Sequence, residues 1–390
     1  MVSSERRTAE RFDDLVRLRR MRKTQPVWRD PETGNWHVHR YQDVAAILAD
    51  AQTFSSDFSV LYPDRTDLTA GNIVAMDPPR HNQLRALVSQ AFTPRAIDRL
   101  AGRIGELCEE LLDRTSGHFR IELVRDLAYP LPVTVIAELL GVPPEDRTQF
   151  KEWADALLDR DLLDRSNEER IKAAQVQIDK FHDYLGQHVA RRRVKPREDL
   201  LTDLVRAEVE GERLSDGEIV GFATLLLLAG HITTTLLLGN AILCLDEYPS
   251  AQAALRAEPE RVPTALEEVL RYRSPVPFTL RVTTRDVQVA DQTIPAKESV
   301  YAWLLSANHD ERYFESAERF DINRHPNPHL AFGKGIHFCL GAPLARLEGR
   351  IALPSLLRRF RHIQVDPAYP LEQYSRFNGV RALHLLVDRA

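Results

Sequence analysis

Between Ile219 and Leu245 the chain carries no Asp, Glu, Lys or Arg. A helix made from that run is long enough to cross a bilayer. Its middle, however, reads Ala229-Gly230-His231-Ile232-Thr233-Thr234-Thr235. An imidazole and hydroxyls at mid-depth are costly in lipid unless they serve a site, and no basic cluster flanks the run to set an orientation. A helix buried on all sides by protein satisfies the same pattern. Ser215 followed by Glu218 has the spacing of a capping box, so the run is predicted to be a long core helix beginning there.

Composition narrows the rest. The 390 residues hold 52 Lys and Arg against 57 Asp and Glu, a net charge of -5. No basic run alternates with aromatics, which argues against nucleic acid as a partner. Arg191-Arg192-Arg193 is the densest basic patch and reads as a solvated helix end before Pro196. Cys108, Cys244 and Cys339 lie far apart, which points to a reducing compartment and away from a disulfide framework or a structural zinc site. The first two sit in helical patterns and read as small core residues. The N-terminal residues are charged with no apolar stretch after them, so neither a secretory signal nor a membrane anchor is expected.

Read along its length, the chain is mostly helical. Trp36 to His39 alternates as a strand would, and Tyr41 to Ala49 has helical spacing. Val60 to Leu68 reads as a polar loop. Pro78-Pro79 opens a helix to about Phe92. Thr93-Pro94 starts another that carries Ile97, Leu100, Ile104, Leu107 and Leu111 on one face. Leu131-Pro132-Val133 precedes a helix ending near Gly141, and amphipathic helices follow Pro143-Pro144 through Arg193. Thr264 to Arg271 is helical. Thr279 to Val282, Val287 to Val289 and Ser299 to Trp303 read as strands, and a helix from Pro343 to Phe360 should kink at Pro354. A hairpin is expected around Phe377-Asn378-Gly379. Without repeats or a Gly/Ser linker, this is one mainly α domain with small β-sheets, spanning residues 1–390.

The chemistry concentrates in the segment Phe332-Gly333-Lys334-Gly335-Ile336-His337-Phe338-Cys339-Leu340-Gly341. Gly333, Gly335 and Gly341 allow backbone conformations closed to other residues, and amides in such a loop can donate to a sulfur and tune it. Phe332 and Phe338 are expected to shield it from water. A free cysteine in a turn is the ordinary alternative, which the density of glycines disfavours.

This segment matches the haem-binding signature of the cytochromes P450, and other landmarks of that family follow in order over essentially the whole chain. The chain resembles a soluble bacterial member, similar to macrolide- and polyketide-tailoring hydroxylases. The resemblance implies a P450 fold, with haem b held between the long helix and the cysteine loop and Cys339 as the axial thiolate. Glu268 and Arg271 match the family's Glu-x-x-Arg, and Arg319 its partner arginine, giving a buried structural charge network. His81, Arg85, Arg281 and His337 stand where the family holds the haem propionates. Ala229 and Gly230 would leave room for O2, and Thr233 aligns with the threonine that serves O2 activation.

One departure stands out. The family usually places Asp or Glu before that threonine, and here it is Ile232, so proton delivery falls to water, Thr234, His231 or a substrate hydroxyl.

The resemblance further implies a monooxygenase acting on a mid-sized lipophilic small molecule in the cytoplasm. Its electrons would come from a ferredoxin and a ferredoxin reductase, with Arg346, Arg350 and Arg95 as candidate docking residues. Leu228, Ala229, Thr233, Val276, Pro277, Phe278, Phe377 and Asn378, the Ser59-to-Thr69 loop and the helices around Leu157 to Leu163 are the candidate substrate contacts. The rival readings are a P450-fold peroxygenase, decarboxylase or coupling enzyme, and a non-catalytic haem protein.

Overall fold

The computed structural model describes residues 15–61, 71–162 and 168–389. The uncharged run forms a helix from Asp216 to Glu247. The capping box closes at its start: Ser215 Oγ accepts from the Glu218 amide at 3.2 Å, and the Glu218 carboxylate accepts from the Ser215 amide at 2.9 Å. The helices Pro130–Leu139, Glu168–Val194, Val262–Tyr272 and Ala342–Arg359 all pack against it. Phe222, Leu227, Ile232, Leu236 to Leu238 and Ala241 to Leu245 are buried among them. Each buried Leu or Phe contributes about 1.5–3 kcal/mol relative to exposure. This helix is long and apolar enough to cross a membrane, yet it packs as the core of a helical layer.

A five-stranded sheet lies apart from that core. Its order is Val27–Arg29, Trp36–Val38, Ser299–Ala302, Thr279–Thr283, Phe54–Ser55. Ser299–Ala302 runs parallel to Trp36–Val38, and the other pairings are antiparallel. Val27, Trp36, Val38, Val300 and Ala302 face a second apolar core that also takes Val44, Ile47 and Leu48 from the helix Tyr41–Ala49. A smaller sheet pairs Phe360–Val365, His384–Arg389 and Arg120–Glu122.

Several boundaries differ from those read in the sequence. The helix beginning at Thr93-Pro94 is two, Pro94–Asp98 and Ala101–Asp113, because a tight turn carries the Leu100 amide to the Ile97 carbonyl at 2.9 Å. Leu131-Pro132 lies inside the helix Pro130–Leu139 rather than before it, since prolines in a first helical turn sacrifice no hydrogen bond. The helix Ala342–Arg359, by contrast, agrees with the expected span from Pro343 to Phe360 and contains Pro354. Around Phe377-Asn378-Gly379 there is a single bridge, Gln373 to Val380, rather than a full hairpin. Arg192 is not solvated: it pairs with buried Asp199 at 2.7 Å and donates to the Gly141 carbonyl at 3.0 Å. Cys108 and Cys244 are buried and unbridged.

Candidate active site

The cysteine loop is built from the backbone outward. Asn308 Oδ1 accepts from the Leu330 amide at 2.7 Å, and Gly333 N–H reaches the Leu330 carbonyl at 2.8 Å. The Cys339 amide then returns to the Phe332 carbonyl at 2.9 Å, closing the loop. Gly333 and Gly335 both have φ of 73°. A side chain at Gly335 would also meet the Leu48 carbonyl oxygen at 2.6 Å, so the turn rests directly on the Tyr41–Ala49 helix. Gly341 differs from expectation: its φ is an ordinary -78°, and its contribution is an amide directed at sulfur.

Burial pushes the Cys339 thiol up, while the amides of Gly341 and Ala342 and the charges of Arg85 and Arg346 oppose the shift. These groups stabilise a thiolate once a cation is there to receive it. The sulfur also stands just ahead of the N-terminus of the Ala342–Arg359 helix, whose partial positive charge favours an anion. Phe332 is half-buried under the Arg346 guanidinium, 4.6 Å from its ring centroid. Phe338 is 41% exposed and covers little, contrary to the shielding expected of it.

Beside the loop, Arg281, Arg85, His81 and His337 gather with no ion pair to a carboxylate among the described residues, although Asp77 is close enough to act on Arg281 and His81. Arg281 is 5% exposed and, among the described residues, donates to Thr279 Oγ1 at 3.1 Å and the Leu280 carbonyl at 2.7 Å. Burial lowers it to about 10. His337 lies with Nε2 3.0 Å from Ser56 Oγ, and burial together with Arg281, His81 and Arg85 lowers it to about 3. The His81 ring centroid is 4.3 Å from that of His337, and its buried Nε2 has no partner. Arg85 donates to the Phe338 carbonyl at 2.6 Å. Nearby Asp77 is engaged by Ser55 Oγ and by the Ser56 amide. Two guanidinium groups, buried Arg281 and half-buried Arg85, beside the His337 and His81 imidazoles, whose charging is opposed by burial and by those arginines, suit a bound dianion. Together with the sulfur they fit the haem that the resemblance implies.

On the long helix, exposure identifies the working face. Ala229 is exposed, and Thr224 to Leu226, Leu228, Gly230 and Thr233 are partly so, whereas every residue from Thr234 to Leu245 is buried. The spacing of Leu226, Ala229 and Thr233 places them on one face. Thr233 Oγ1 donates to the Ala229 carbonyl at 2.7 Å, leaving its lone pairs toward the opening. Gly230 has a packing reason of its own, since a Cβ there would meet Ile136 at 2.8 Å.

The other polar candidates turn inward. His231 is fully buried, edge-on to Tyr129 at 5.5 Å, and Thr234 is buried in the core. Ile232 is buried as well, so position 232 faces apolar neighbours. Of the three residues proposed for catalysis, only Thr233 reaches the open face.

The charge network needs one correction. Glu268 and Arg271 are fully buried and joined by two 2.7 Å hydrogen bonds. Arg271 also donates to the carbonyls of Asn308 and Ala317 at 2.8 Å and of Arg319 at 2.9 Å. Arg319 thus offers its backbone while its side chain is exposed. The second cation on Glu268 is Arg324, whose Nε lies 3.1 and 3.2 Å from the two carboxylate oxygens. Asp321 N–H and Asn327 Nδ2 complete the carboxylate's partners. No periodic pattern in Asp321 to Asn327 marked Arg324 in advance; a buried Glu holding several donors is the signal to look for.

Other candidates divide. The Phe278 ring sits 5.1 Å from those of Tyr301 and Trp303 and is half-buried against the sheet. Val276 packs on the sheet core, the Pro277 carbonyl accepts from the Leu305 amide, and Phe377 is half-buried against Tyr374. Most of the Ser59-to-Thr69 loop, and Leu163, lie outside the described residues. Arg350 and Arg95 are exposed, whereas Arg346 is taken up by Glu267 through two 2.7 Å bonds.

Comparison with known proteins agrees with this geometry. The family model described as Cytochrome P450 matches residues 5–377. The cyclomarin C epoxidase CymV of Salinispora arenicola is 47% identical over 360 residues, 92% of this chain and 91% of the relative. The erythromycin C-12 hydroxylase of Saccharopolyspora erythraea is 46% identical over 348 residues, 89% of this chain and 87% of the relative. The open form of the cytochrome P450 EryK from S. erythraea superposes with a TM-score of 0.92 at 43% identity, covering 98% of both chains. The cysteine loop, the unpaired cationic cluster and the open threonine face thus belong to a member of the cytochrome P450 family, a monooxygenase of the kind that acts in secondary metabolism.

Proposed function

We propose that this chain, acting as one catalytic unit, hydroxylates or epoxidises a mid-sized lipophilic molecule of the macrolide or polyketide class. It would do so in the cytoplasm, with haem b, O2 and electrons from a ferredoxin and its reductase. The observation that carries the reading is the open face bearing Leu228, Ala229 and Thr233, apolar except for one hydroxyl, in a helix packed against the helix that follows Cys339. An apolar lining with a few placed polar groups suits lipophilic ligands. The epoxidase and hydroxylase named among the relatives support the reaction class.

The haem, when bound, supplies O2 activation and oxygen insertion. Cys339 would hold its iron, with the Gly341 and Ala342 amides tempering the sulfur's charge. His81, Arg85, Arg281 and His337 would hold its carboxylates and fix the plane of the ring. Thr233 keeps its own hydroxyl proton on the Ala229 carbonyl, which fixes Oγ1 with its lone pairs free to accept a hydrogen bond from a water and hold that water at the open face. Because Ile232 and His231 face the core, the proton comes through water or a substrate hydroxyl. Exposed Arg350 and Arg95 would meet an acidic ferredoxin.

The test is Thr233→Ala in a system of NAD(P)H, ferredoxin and reductase with a turned-over substrate. Peroxide release should rise at the expense of product while ligand-binding spectra stay unchanged. Unaltered coupling, or turnover by the wild type with peroxide only, would sink the reading.

A further inference from the structure

Asn240 lies seven residues beyond Thr233, two helical turns along the same face of the long helix. It is 1% exposed. Its amide nitrogen donates twice, to the Arg273 carbonyl at 2.9 Å and to the Asn378 carbonyl at 2.8 Å. These acceptors belong to separate segments, the residues leading into Val276-Pro277 and the turn Phe377-Asn378-Gly379. Asn378 ties the two together again: its amide donates to the Pro275 carbonyl at 2.8 Å, and its side chain to the Ser274 carbonyl at 3.2 Å.

Packing permits only a close fit. A Cβ at Gly379 would meet Leu236 at 2.6 Å and Asn240 Oδ1 at 3.4 Å, so the turn is seated on the helix itself. The stripe Ala229, Thr233, Leu236, Asn240 is therefore open at its first two positions and roofed at the last two. Asn240 Oδ1 is buried without a hydrogen-bond partner among the described residues. A buried, unpaired acceptor costs stability, and that cost is retained alongside two donors aimed at two loops.

We propose that Asn240 is a positioning residue for substrate. It fixes Arg273–Pro277 and Phe377–Gly379 as the end wall of the substrate space, at a set distance along the helix from Thr233. The substrate atom presented to the reaction is thereby selected. This rests on the reading of those segments as pocket walls.

The experiment compares wild type with Asn240→Leu, which keeps the volume but presents no donors, and with Asn378→Ala, which loosens the same clamp from the partly exposed side. The probes are imidazole and a bulky N-aryl azole, titrated by their optical shifts on the haem-loaded full chain. Amide hydrogen exchange at Asn378 and Gly379 is followed alongside.

Bulky-azole affinity should fall about five- to ten-fold in both variants, the worth of one or two hydrogen bonds, with imidazole affinity changed less than about two-fold. Exchange at Asn378 and Gly379 should quicken. Unchanged bulky-azole binding in Asn378→Ala overturns the proposal, and so does an equal loss for both azoles, which marks a merely structural role. A wild type that binds imidazole but gives no shift with the bulky azole overturns the reading of the walls themselves.

Discussion

The charge network gives the sharpest mutational contrast, because sequence and structure assign its third member differently. Arg324 has 11% of its side chain exposed and places Nε against both oxygens of a fully buried Glu268. Nη1 and Nη2 also donate to the Glu315 and Ser316 carbonyls at 2.8 and 3.2 Å. Arg324→Ala removes a charge-assisted pair but leaves Glu268 its bidentate Arg271, the Asp321 amide and Asn327. The cost should therefore fall at the low end of that for breaking a buried pair, about 3 kcal/mol. Arg319→Ala removes an exposed side chain and should stay within about 0.5 kcal/mol. At roughly 2 cal/mol/K per residue, unfolding entropy for a chain this long converts 3 kcal/mol to a Tm fall of about 4 °C. Thermal unfolding of the haem-loaded protein, followed by circular dichroism and by the Soret band, reads both variants. Equal shifts, or a larger one for Arg319→Ala, would refute the assignment of Arg324.

Further outcomes follow from single residues. Gly335→Ala imposes a side chain at φ 73° against the Leu48 carbonyl; haem content of the purified protein should drop while far-ultraviolet circular dichroism stays near wild type. Glu348 is buried, its Oε2 has no partner, and burial raises it from 4.5 to about 8. Its folded pKa is raised, so its contribution is most favourable below pH 4.5 and is lost as pH rises to about 8. At pH 7 the penalty is about 3 kcal/mol. Glu348→Gln should raise the denaturation midpoint at pH 7–8 and flatten the stability profile between pH 4.5 and 8. An unchanged slope would mean that Glu348 is ionised and paired in the fold.

The sequence was most legible where chemistry is local. The capping box at Ser215 and Glu218, the uncharged helix behind it and the positive-φ Gly333 and Gly335 ahead of His337 each follow from adjacent residues, and each stands where it was expected. What stayed hidden depends on contacts distant in the chain. Arg324 is a network member only because the fold brings Glu268 to it from 56 residues away. His231 and Thr233 are indistinguishable as polar residues in an apolar run until the neighbouring helix containing Ile136 and the ring of Tyr129 decide which face is open. Asn240 gave no signal, since a lone Asn in a helix shows its purpose only when both acceptors are in place.

The central claim is that Cys339 is the thiolate that holds a haem iron. Its direct test is the difference spectrum of the dithionite-reduced protein with carbon monoxide, taken for wild type and for Cys339→Ala. The wild type should show a Soret band shifted far to the red, as thiolate-ligated haem gives. The variant should lose that band even when haem remains bound. A wild type with the Soret position of histidine-ligated haem, or a Cys339→Ala variant that keeps the red-shifted band, would contradict the account.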